Sequence, residues 1–461
     1  MIQKETKSVH FVGIGGIGMS GIAYVLLKSG YQVSGSDQKP SSITNKLRLN
    51  GAHIFLGHNA MHINSQDLIV YSTAISKSNP ELVEARKRKI PIIHRAELLA
   101  KMANNKKSIF VTGCHGKTTV TSMIAHMLIE TGYDPTVIVG GEISSLGGNA
   151  RFGASPWFVA EADESDKSFL KLNPYLGIIT NIDEDHLEYY KNLEDIIDTF
   201  LNFAERIDKS GRIFCCIDNN NVKELVSRLH KGKCKAQITT YGMSRNAGIR
   251  ADNLICEGLS TRFDVYKNAE LLGSFSLSVP GKHNVLNALS AIALGLRIGL
   301  SFDAVKESLQ SFRGVDRRFQ IRAHIGNIMV IDDYAHHPAE IEAVLETAKN
   351  LEKKRIVAVF QPHRYTRTEK LYKQFAVSLS KADKVILTDV YSAGEVPIKG
   401  ANTDVIFNAM KNNGYKNAVY IPDKSRILSY LSNTMEKGDI ILFMGAGDIS
   451  EVAGKLADKL I

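Results

Sequence analysis

Short apolar runs that end in glycine alternate along most of this chain with longer stretches whose apolar positions recur every three or four residues, the rhythm of strand, turn and helix. From His10 an apolar run enters the glycines that reach Gly18, Ile17 to Leu27 carries helical spacing, and Tyr31 to Gly35 reads as a second strand. Leu68 to Tyr71 and Ile90 to Ile93 add short strands between polar, helix-like stretches, as a parallel doubly wound sheet requires. This first domain is expected to span residues 1–103, up to the polar segment Ala103-Asn104-Asn105-Lys106-Lys107.

A second unit, expected over residues 104–314, opens with the strand Ser108 to Thr112, a glycine turn and a helix from Lys117 to Thr131. Trp157 to Ala160, Leu176 to Thr180 and Arg212 to Ile217 read as its later strands. Gln237 to Val279 changes to short alternating segments, which predict an antiparallel addition before a helix beginning near Asn284. The third domain, residues 315–461, resumes the first pattern with strands at Ile328 to Ile331, Ile356 to Phe360, Val385 to Thr388 and Ile440 to Phe443, and a helix over Pro338 to Leu351. Neither a short-period repeat nor a low-complexity linker interrupts it, which excludes solenoids and tethered modules.

Length and composition agree with several ordinary soluble domains: 461 residues, 44% hydrophobic and 23% charged. Fifty-seven Lys and Arg against 48 Asp and Glu give +9, which suits an anionic ligand, but the basic residues are dispersed rather than interleaved with aromatics. No nucleic-acid partner is therefore expected. Five cysteines, an odd number without C-x-x-C spacing, argue against a disulfide framework or a structural zinc site and for a reducing compartment. The start MIQKETKSVH lacks an apolar signal region and no run is long enough to span a bilayer, so a cytoplasmic protein without membrane insertion is the expectation. Nothing in the sequence distinguishes a monomer from a homodimer.

Gly13-Ile14-Gly15-Gly16-Ile17-Gly18 satisfies G-x-G-x-x-G after a strand and before a helix, where bare backbone lets a diphosphate approach amides at a helix N-terminus. Asp37 stands near the end of the second strand, about where a ribose-binding acid belongs. Taken alone, the motif fits an NAD-dependent dehydrogenase as well as any other nucleotide binder. Gly113-Cys114-His115-Gly116-Lys117-Thr118-Thr119 is more specific, although its spacing is G-x-x-G-K-T rather than the general phosphate-loop pattern. Lys117 can neutralise β- and γ-phosphate charge, Thr118 can reach Mg2+, and the loop amides can hold phosphate oxygens. The fold class expected is thus α/β in three domains: a Rossmann-like N-terminal domain, a central ATP-binding domain of P-loop type and a Rossmann-like C-terminal domain.

Acidic segments follow two strands, Glu161-Ala162-Asp163-Glu164-Ser165-Asp166 and Asn181-Ile182-Asp183-Glu184-Asp185-His186, and carboxylate oxygens suit Mg2+. Further on stand Gly281-Lys282-His283-Asn284-Val285-Leu286-Asn287, Phe312-Arg313-Gly314-Val315-Asp316-Arg317-Arg318, Asp332-Asp333-Tyr334-Ala335-His336-His337-Pro338 and Gln361-Pro362-His363-Arg364-Tyr365-Thr366-Arg367. Singly each is a common surface or capping pattern; their joint order is what carries information.

With these segments in this order the chain resembles the Mur ligases end to end, and most of all their alanine-adding branch. Cys114 departs from the threonine usual in that family's ATP loop, a small change if backbone amides bind the phosphates. The resemblance implies ATP-dependent ligation of L-alanine to UDP-N-acetylmuramic acid with Mg2+, two ions being expected, in cell-wall precursor synthesis. It implies that Gly15, Gly16 and Gly18 face the diphosphate of the UDP sugar, with Asp37 and Ser72, Thr73, Ala74 and Ile75 on the same ligand. Gly113, Cys114, His115, Gly116, Lys117, Thr118 and Thr119 would hold ATP, joined by His283, Asn284, Asn287, Arg317, Asp332 and Tyr334. Thr118, Glu161 and His186 would ligate metal, and His336, His337, His363, Arg364 and Arg367 would belong to the amino acid, the arginines gripping its carboxylate. The catalytic set so implied is Lys117, Glu161, His186, Arg317, His336 and His337. Relatives that carry a carbamylated lysine have no counterpart expected here, because no lysine occurs between Lys191 and Lys209. Competing readings are a ligase attaching a preformed peptide to the same sugar nucleotide, an NAD-dependent dehydrogenase, and a nucleotide-binding regulator without turnover.

Overall fold

The glycine-terminated apolar runs become the central strands of three sheets. In the computed structural model, residues 6–185, 189–232, 234–351 and 355–461 are described. They fall into two compact units, one of Met1–Asn253, Phe263–Phe275 and Leu286–Phe312, the other of Leu254–Arg262, Ser276–Val285 and Arg313–Ile461.

In the first sheet, β1 (Ser8–Val12), β2 (Gln32–Asp37), β3 (His53–Leu56), β4 (Leu68–Tyr71) and β5 (Ile92–His94) lie in the order β3-β2-β1-β4-β5, all pairs parallel. Four of the five residues of β1 are buried, as expected of a parallel strand covered on both faces. The helices are α1 (Ile17–Lys28), α2 (Ser42–Leu49), α3 (Pro80–Lys87) and α4 (Arg95–Ala103). Gly21 on α1 lies against Ile138 and Asn149, and Asn149 Nδ2 donates to Ile17 O at 2.6 Å, so α1 packs on the edge of the second sheet.

That second sheet contains β6 (Lys107–Thr112), β7 (Thr136–Ile143), β8 (Gly148–Arg151), β9 (Trp157–Glu161), β10 (Leu176–Ile179), β11 (Arg212–Cys216), β12 (Gln237–Gly242), β13 (Ile249–Glu257), β14 (Ser260–Lys267) and β15 (Glu270–Leu277). Its order is β15-β14-β13-β12-β11-β10-β6-β9-β7-β8, with β6 parallel to both β10 and β9. Helices α5 (Lys117–Glu130), α6 (Leu193–Ala204), α7 (Asn220–Lys231), α8 (Lys282–Arg297) and α9 (Phe302–Gln310) accompany it. The antiparallel addition expected from Gln237 begins only with the β13–β14 hairpin, since β13 still pairs in parallel with β12. β12 pairs in parallel with β11, because α7 supplies the crossover that parallel neighbours need. Only β13, β14 and β15 are joined by two-residue connections, with Gly258 and Asn268 at positive φ, and such connections permit hairpins alone.

The third sheet comprises β16 (Gln320–Ile325), β17 (Ile328–Asp333), β18 (Ile356–Phe360), β19 (Lys384–Leu387), β20 (Ala418–Tyr420) and β21 (Ile440–Met444) in the order β16-β17-β21-β18-β19-β20. Every pair is parallel except β16 with β17. Its helices are α10 (Pro338–Lys349), α11 (Tyr365–Leu379), α12 (Thr403–Asn412), α13 (Ile427–Thr434) and α14 (Ile449–Leu460), packed through apolar cores on both faces. Strand order reverses beside β1, β6 and β21, and the crevice at the carboxyl end of such a reversal is where α/β sheets bind ligands. No helix among the described residues is long and apolar enough to cross a membrane.

Candidate functional site

At the reversal in the first sheet the glycine turn leaves β1 with Gly13 at φ +81°, a conformation that favours glycine. Gly13 N and Ile14 N donate to Ser36 O at 2.9 and 3.0 Å, and Gly16 opens α1 without a side-chain cap. Ile75 from the turn after β4 lies 3.0 Å from where a Cβ on Gly13 would stand, so of Ser72, Thr73, Ala74 and Ile75 it is Ile75 that meets the glycine turn. Thr73 Oγ1 donates to Asp166 at 3.1 Å, while Ala74 is exposed. Asp37, expected at the ribose, also braces the turn. Its Oδ2 accepts from Gly15 N at 2.8 Å, binding the turn itself. Gly18 faces Arg95, which the sequence did not single out and which pairs with Asp163 at 2.5 Å.

The turn after β6 shows why its glycines cannot be replaced. Gly113 has φ +133°, and a Cβ there would meet Thr180 Oγ1 at 2.2 Å. Gly116, at φ +83°, caps α5 and lies against Asn287, whose Oδ1 stands 2.8 Å from the same hypothetical atom. The residues after β10 brace the turn: His115 N donates to Asn181 Oδ1 at 2.8 Å, and Thr180 Oγ1 donates to His115 O at 2.7 Å. Cys114 Sγ accepts from Asp183 N at 3.2 Å, and burial pushes its thiol well up, so it serves as a packed hydrogen-bonding group rather than a thiolate. Lys117 Nζ donates to Gly113 O at 2.6 Å and to Glu164 Oε1 at 2.7 Å. Burial alone would lower its pKa, but Glu164 and Asp163 outweigh burial and raise it, so the ammonium is fixed in its charged form. Thr118 and Thr119 follow in the first, largely buried turn of α5.

Glu161 ends β9, and its Oε1 accepts from Gly140 N at 2.6 Å across the sheet. His186 lies outside the described residues. Among the described residues no three His, Cys, Asp or Glu converge as a metal cage. Mg2+ does not ask for one, since it is held by one or two carboxylates with phosphate and water oxygens. Glu161, Thr118 and the acidic loop after β9 are hard oxygen donors beside a phosphate turn, and fit that ion.

In the second unit the turns after β17, β18 and β21 meet at the reversal of the third sheet. His336 Nδ1 donates to Tyr334 O at 2.9 Å, which leaves Nε2 as the acceptor, and its ring meets those of Tyr334 and His363 edge-on at 5.4 and 5.7 Å. Burial lowers His336 to about 4 and, with His336 and the cation Arg367 alongside, lowers His363 to about 3, so both imidazoles are neutral at physiological pH. His363 stacks on Tyr391 and lies 3.3 Å from Arg367 Nη1, and Arg364, at φ +69°, begins α11. His337 instead caps α10, accepting from Ala339 N at 3.4 Å while Glu340 reaches back to its amide.

Arg317 Nη2 donates to Gly445 O at 2.7 Å and Gly447 O at 3.0 Å, and its guanidinium covers Tyr334. Asp332 is fully buried and accepts from Arg322 at 2.7 Å. His283, in the same unit, is lowered to about 4 by burial and by Arg318, and Asn284 Nδ2 donates to Pro280 O at 2.7 Å. The structure therefore gathers Tyr334, His336, His363, Arg364, Arg367 and Arg317 around three adjacent turns; Asp332 gives one oxygen to Arg322 and turns the other toward Arg317 at 3.9 Å, and His337 caps α10 through Nδ1. Glu164, Arg95, Asp163, Asn181, Arg322 and Glu340 are the partners that sequence reading did not single out. Glu164 and Asp163 lay within a quoted acidic segment, but no spacing distinguished them from their neighbours.

Three family models match the chain in succession: the Mur ligase family catalytic domain over residues 8–107, the Mur ligase middle domain over 111–295, and the Mur ligase glutamate ligase domain over 317–447. A UDP-N-acetylmuramate–L-alanine ligase of Geotalea daltonii is 45% identical over 456 residues, covering 99% of this chain and 98% of the relative. A protein of the same name from a Geobacter species is 46% identical over 457 residues, with the same coverage of both chains. Among solved structures, a UDP-N-acetylmuramate-alanine ligase of Thermotoga maritima is similar with a TM-score of 0.83 and 34% identity over 98% of both chains. A murein peptide ligase of Psychrobacter arcticus follows at 0.73 and 25%, again over 98% of both.

Proposed function

The chain belongs to the Mur ligase family, and we propose that it joins L-alanine to the lactyl carboxylate of UDP-N-acetylmuramic acid, using ATP. The observation that carries this reading is a fixed, charged lysine in a glycine turn at the carboxyl end of β6, in a chain similar along its whole length to alanine ligases. A carboxylate is inert to amines at neutral pH until its oxygen becomes a leaving group. In the proposed sequence that oxygen attacks the γ-phosphorus of ATP, the bond to ADP breaks, and an acyl phosphate forms. The amine of alanine then attacks the acyl carbon, a tetrahedral intermediate collapses, phosphate leaves and the ammonium proton is lost.

Each role follows from what a side chain offers. Lys117 and the turn amides from Gly113 to Thr119 stabilise charge on the transferring phosphoryl group, and Arg317 adds a second cation. Mg2+, which we assign to Glu161, Thr118 and His186 with two ions expected, would supply charge neutralisation on the phosphate oxygens. Loss of the ammonium proton is assigned to His336, whose Nε2 is an open acceptor though a weak base at its lowered pKa, or to His337. His363, Arg364 and Arg367 present the donors that a small amino acid's carboxylate requires. Gly15, Gly16, Gly18 and the turn over Ser72 to Ile75 receive the sugar nucleotide. The limits of the three domains are proposed at 103/104 and 314/315, and the cytoplasm as the compartment where all three substrates meet.

The test is phosphate release from MgATP and UDP-N-acetylmuramic acid with L-alanine or with a tripeptide beginning L-Ala-γ-D-Glu, the product weighed by mass spectrometry. Release that requires both the sugar nucleotide and alanine is expected. Preference for the tripeptide would move the chain to the peptide-attaching branch, and release with neither would refute ligation.

A further inference from the structure

Arg95 is the first residue of α4, directly after β5, and so stands at the carboxyl end of the first sheet beside the reversal in strand order. Its guanidinium is divided between two tasks. Nη2 donates to Asp163 Oδ2 at 2.5 Å, and Asp163 is fixed in turn by Ser165 N on its other oxygen at 3.1 Å. Nη1 instead stands 3.4 Å from where a Cβ on Gly18 would be, over the first turn of α1, and among the described residues no acceptor takes its hydrogens. That distance is an ordinary contact, so the guanidinium lies directly against the first turn of α1.

The charges around the turn make this placement consequential. Asp37 already accepts from the Gly15 amide, so an anion approaching the N-terminus of α1 meets one carboxylate there and a second in Asp163. Helix N-terminal amides alone offer only a modest attraction for anions. Arg95 is the cation that touches the turn, and a guanidinium can hold one carboxylate and still donate from its other nitrogen.

We propose that Arg95 is a positioning residue for the sugar nucleotide: held by Asp163 through Nη2, it binds the diphosphate over the glycine turn through Nη1. This rests on the turn being the sugar-nucleotide site. Because Asp163 follows Glu161 by two residues on the sheet that carries Lys117, Arg95 also registers the bound diphosphate against the phosphate turn of the second sheet.

Calorimetric titration of the full chain with UDP-N-acetylmuramic acid, UDP and uridine tests it, using wild type, Arg95→Ala and Arg95→Lys. Loss of one charged hydrogen bond predicts that Arg95→Ala binds UDP roughly 10- to 100-fold more weakly, Arg95→Lys lying between, with uridine binding unchanged. In steady-state ligation the KM for the sugar nucleotide should rise by a similar factor, and the KM for ATP by less than about threefold. A general loosening would weaken UDP and uridine alike. Should Arg95→Ala fail to fold, the UDP-to-uridine affinity ratio of Arg95→Lys decides. A wild-type ratio in a folded variant overturns the proposal, whereas wild type that binds neither UDP nor the sugar nucleotide overturns the assignment of the turn itself.

Discussion

Lys117 and Glu164 form an ion pair whose removal can be worked through quantitatively. The Glu164 side chain is 2% exposed and that of Lys117 18%, with Nζ and Oε1 2.7 Å apart. Lys117→Met preserves length and apolar bulk but leaves the Glu164 carboxylate buried without its cation, and breaking a buried pair on one side costs about 3–5 kcal/mol. Glu164→Gln leaves Lys117 with Gly113 O as an acceptor, so the loss is nearer that of one charged hydrogen bond, roughly 1.5–3 kcal/mol. In the double variant no charge is stranded, and it should therefore be more stable than Lys117→Met alone. Trp157, the chain's one tryptophan, lies buried on β9 beside β6, so urea unfolding followed by its fluorescence reports on the sheet that carries the pair.

The same cycle with ATP separates the structural from the functional share. In wild type the phosphates can take Lys117 over from Glu164, so ATP should raise the urea midpoint, and in Lys117→Met that rise should largely vanish. Ligation by Lys117→Met should fall by about 10²–10³, the usual loss for one preorganised charge donor at a transferring group. A Lys117→Met protein with the wild-type urea midpoint, or a double variant no more stable than it, would refute the claim that the pair holds the turn together.

Gly113→Ala should lose ATP binding and lower stability by about 2–5 kcal/mol, since its Cβ would meet Thr180 Oγ1 at 2.2 Å in a strained conformation; binding and unfolding measured together check this. Burial would raise the pKa of Glu81, but hydrogen bonds from His10, Ser36 and His62 outweigh it and bring it down from 4.5 to about 2. A carboxyl lowered on folding stabilises above its unfolded pKa and loses that stabilisation as pH falls through the folded one, so about 3 kcal/mol should disappear between pH 4.5 and 2, and Glu81→Gln should flatten this leg of the acid unfolding curve. His336 and His363, lowered to about 4 and about 3, should leave the rate of ligation without an inflection near 6.5; an acid limb from these groups belongs below about pH 5, and an inflection at 6.5 that His336→Gln abolishes would contradict it.

What the sequence made legible follows from how each feature is encoded. Turns that require bare backbone are written in the chain itself: Gly113 and Gly116 hold φ values that favour glycine, so the strand, glycine turn and helix could be read from spacing and fell where expected. Partnerships across the fold are not written that way. Nothing near Asp332 signals that Arg322 will take its carboxylate, because the two are joined only through the antiparallel register of β16 and β17. His337 shows the same limit from the other side. A histidine before Pro-Ala-Glu reads equally as a catalytic base or as a helix cap, and the cap shows only once Glu340 is seen reaching back to its amide.

Asp37 marks where this limit touches function. In G-x-G-x-x-G units an acid at the end of the second strand suggests a ribose, yet here the same spacing delivers the carboxylate to Gly15 N. The register that brings Ser36 opposite Val12 places Asp37 at the level of the turn, so the acid closes the turn on itself. An anion must then be received by a cation supplied from elsewhere in the fold, 58 residues beyond Asp37 in sequence. That residue is Arg95, which no motif predicts, because it is brought to the turn by the parallel pairing of β4 with β5 and the start of α4.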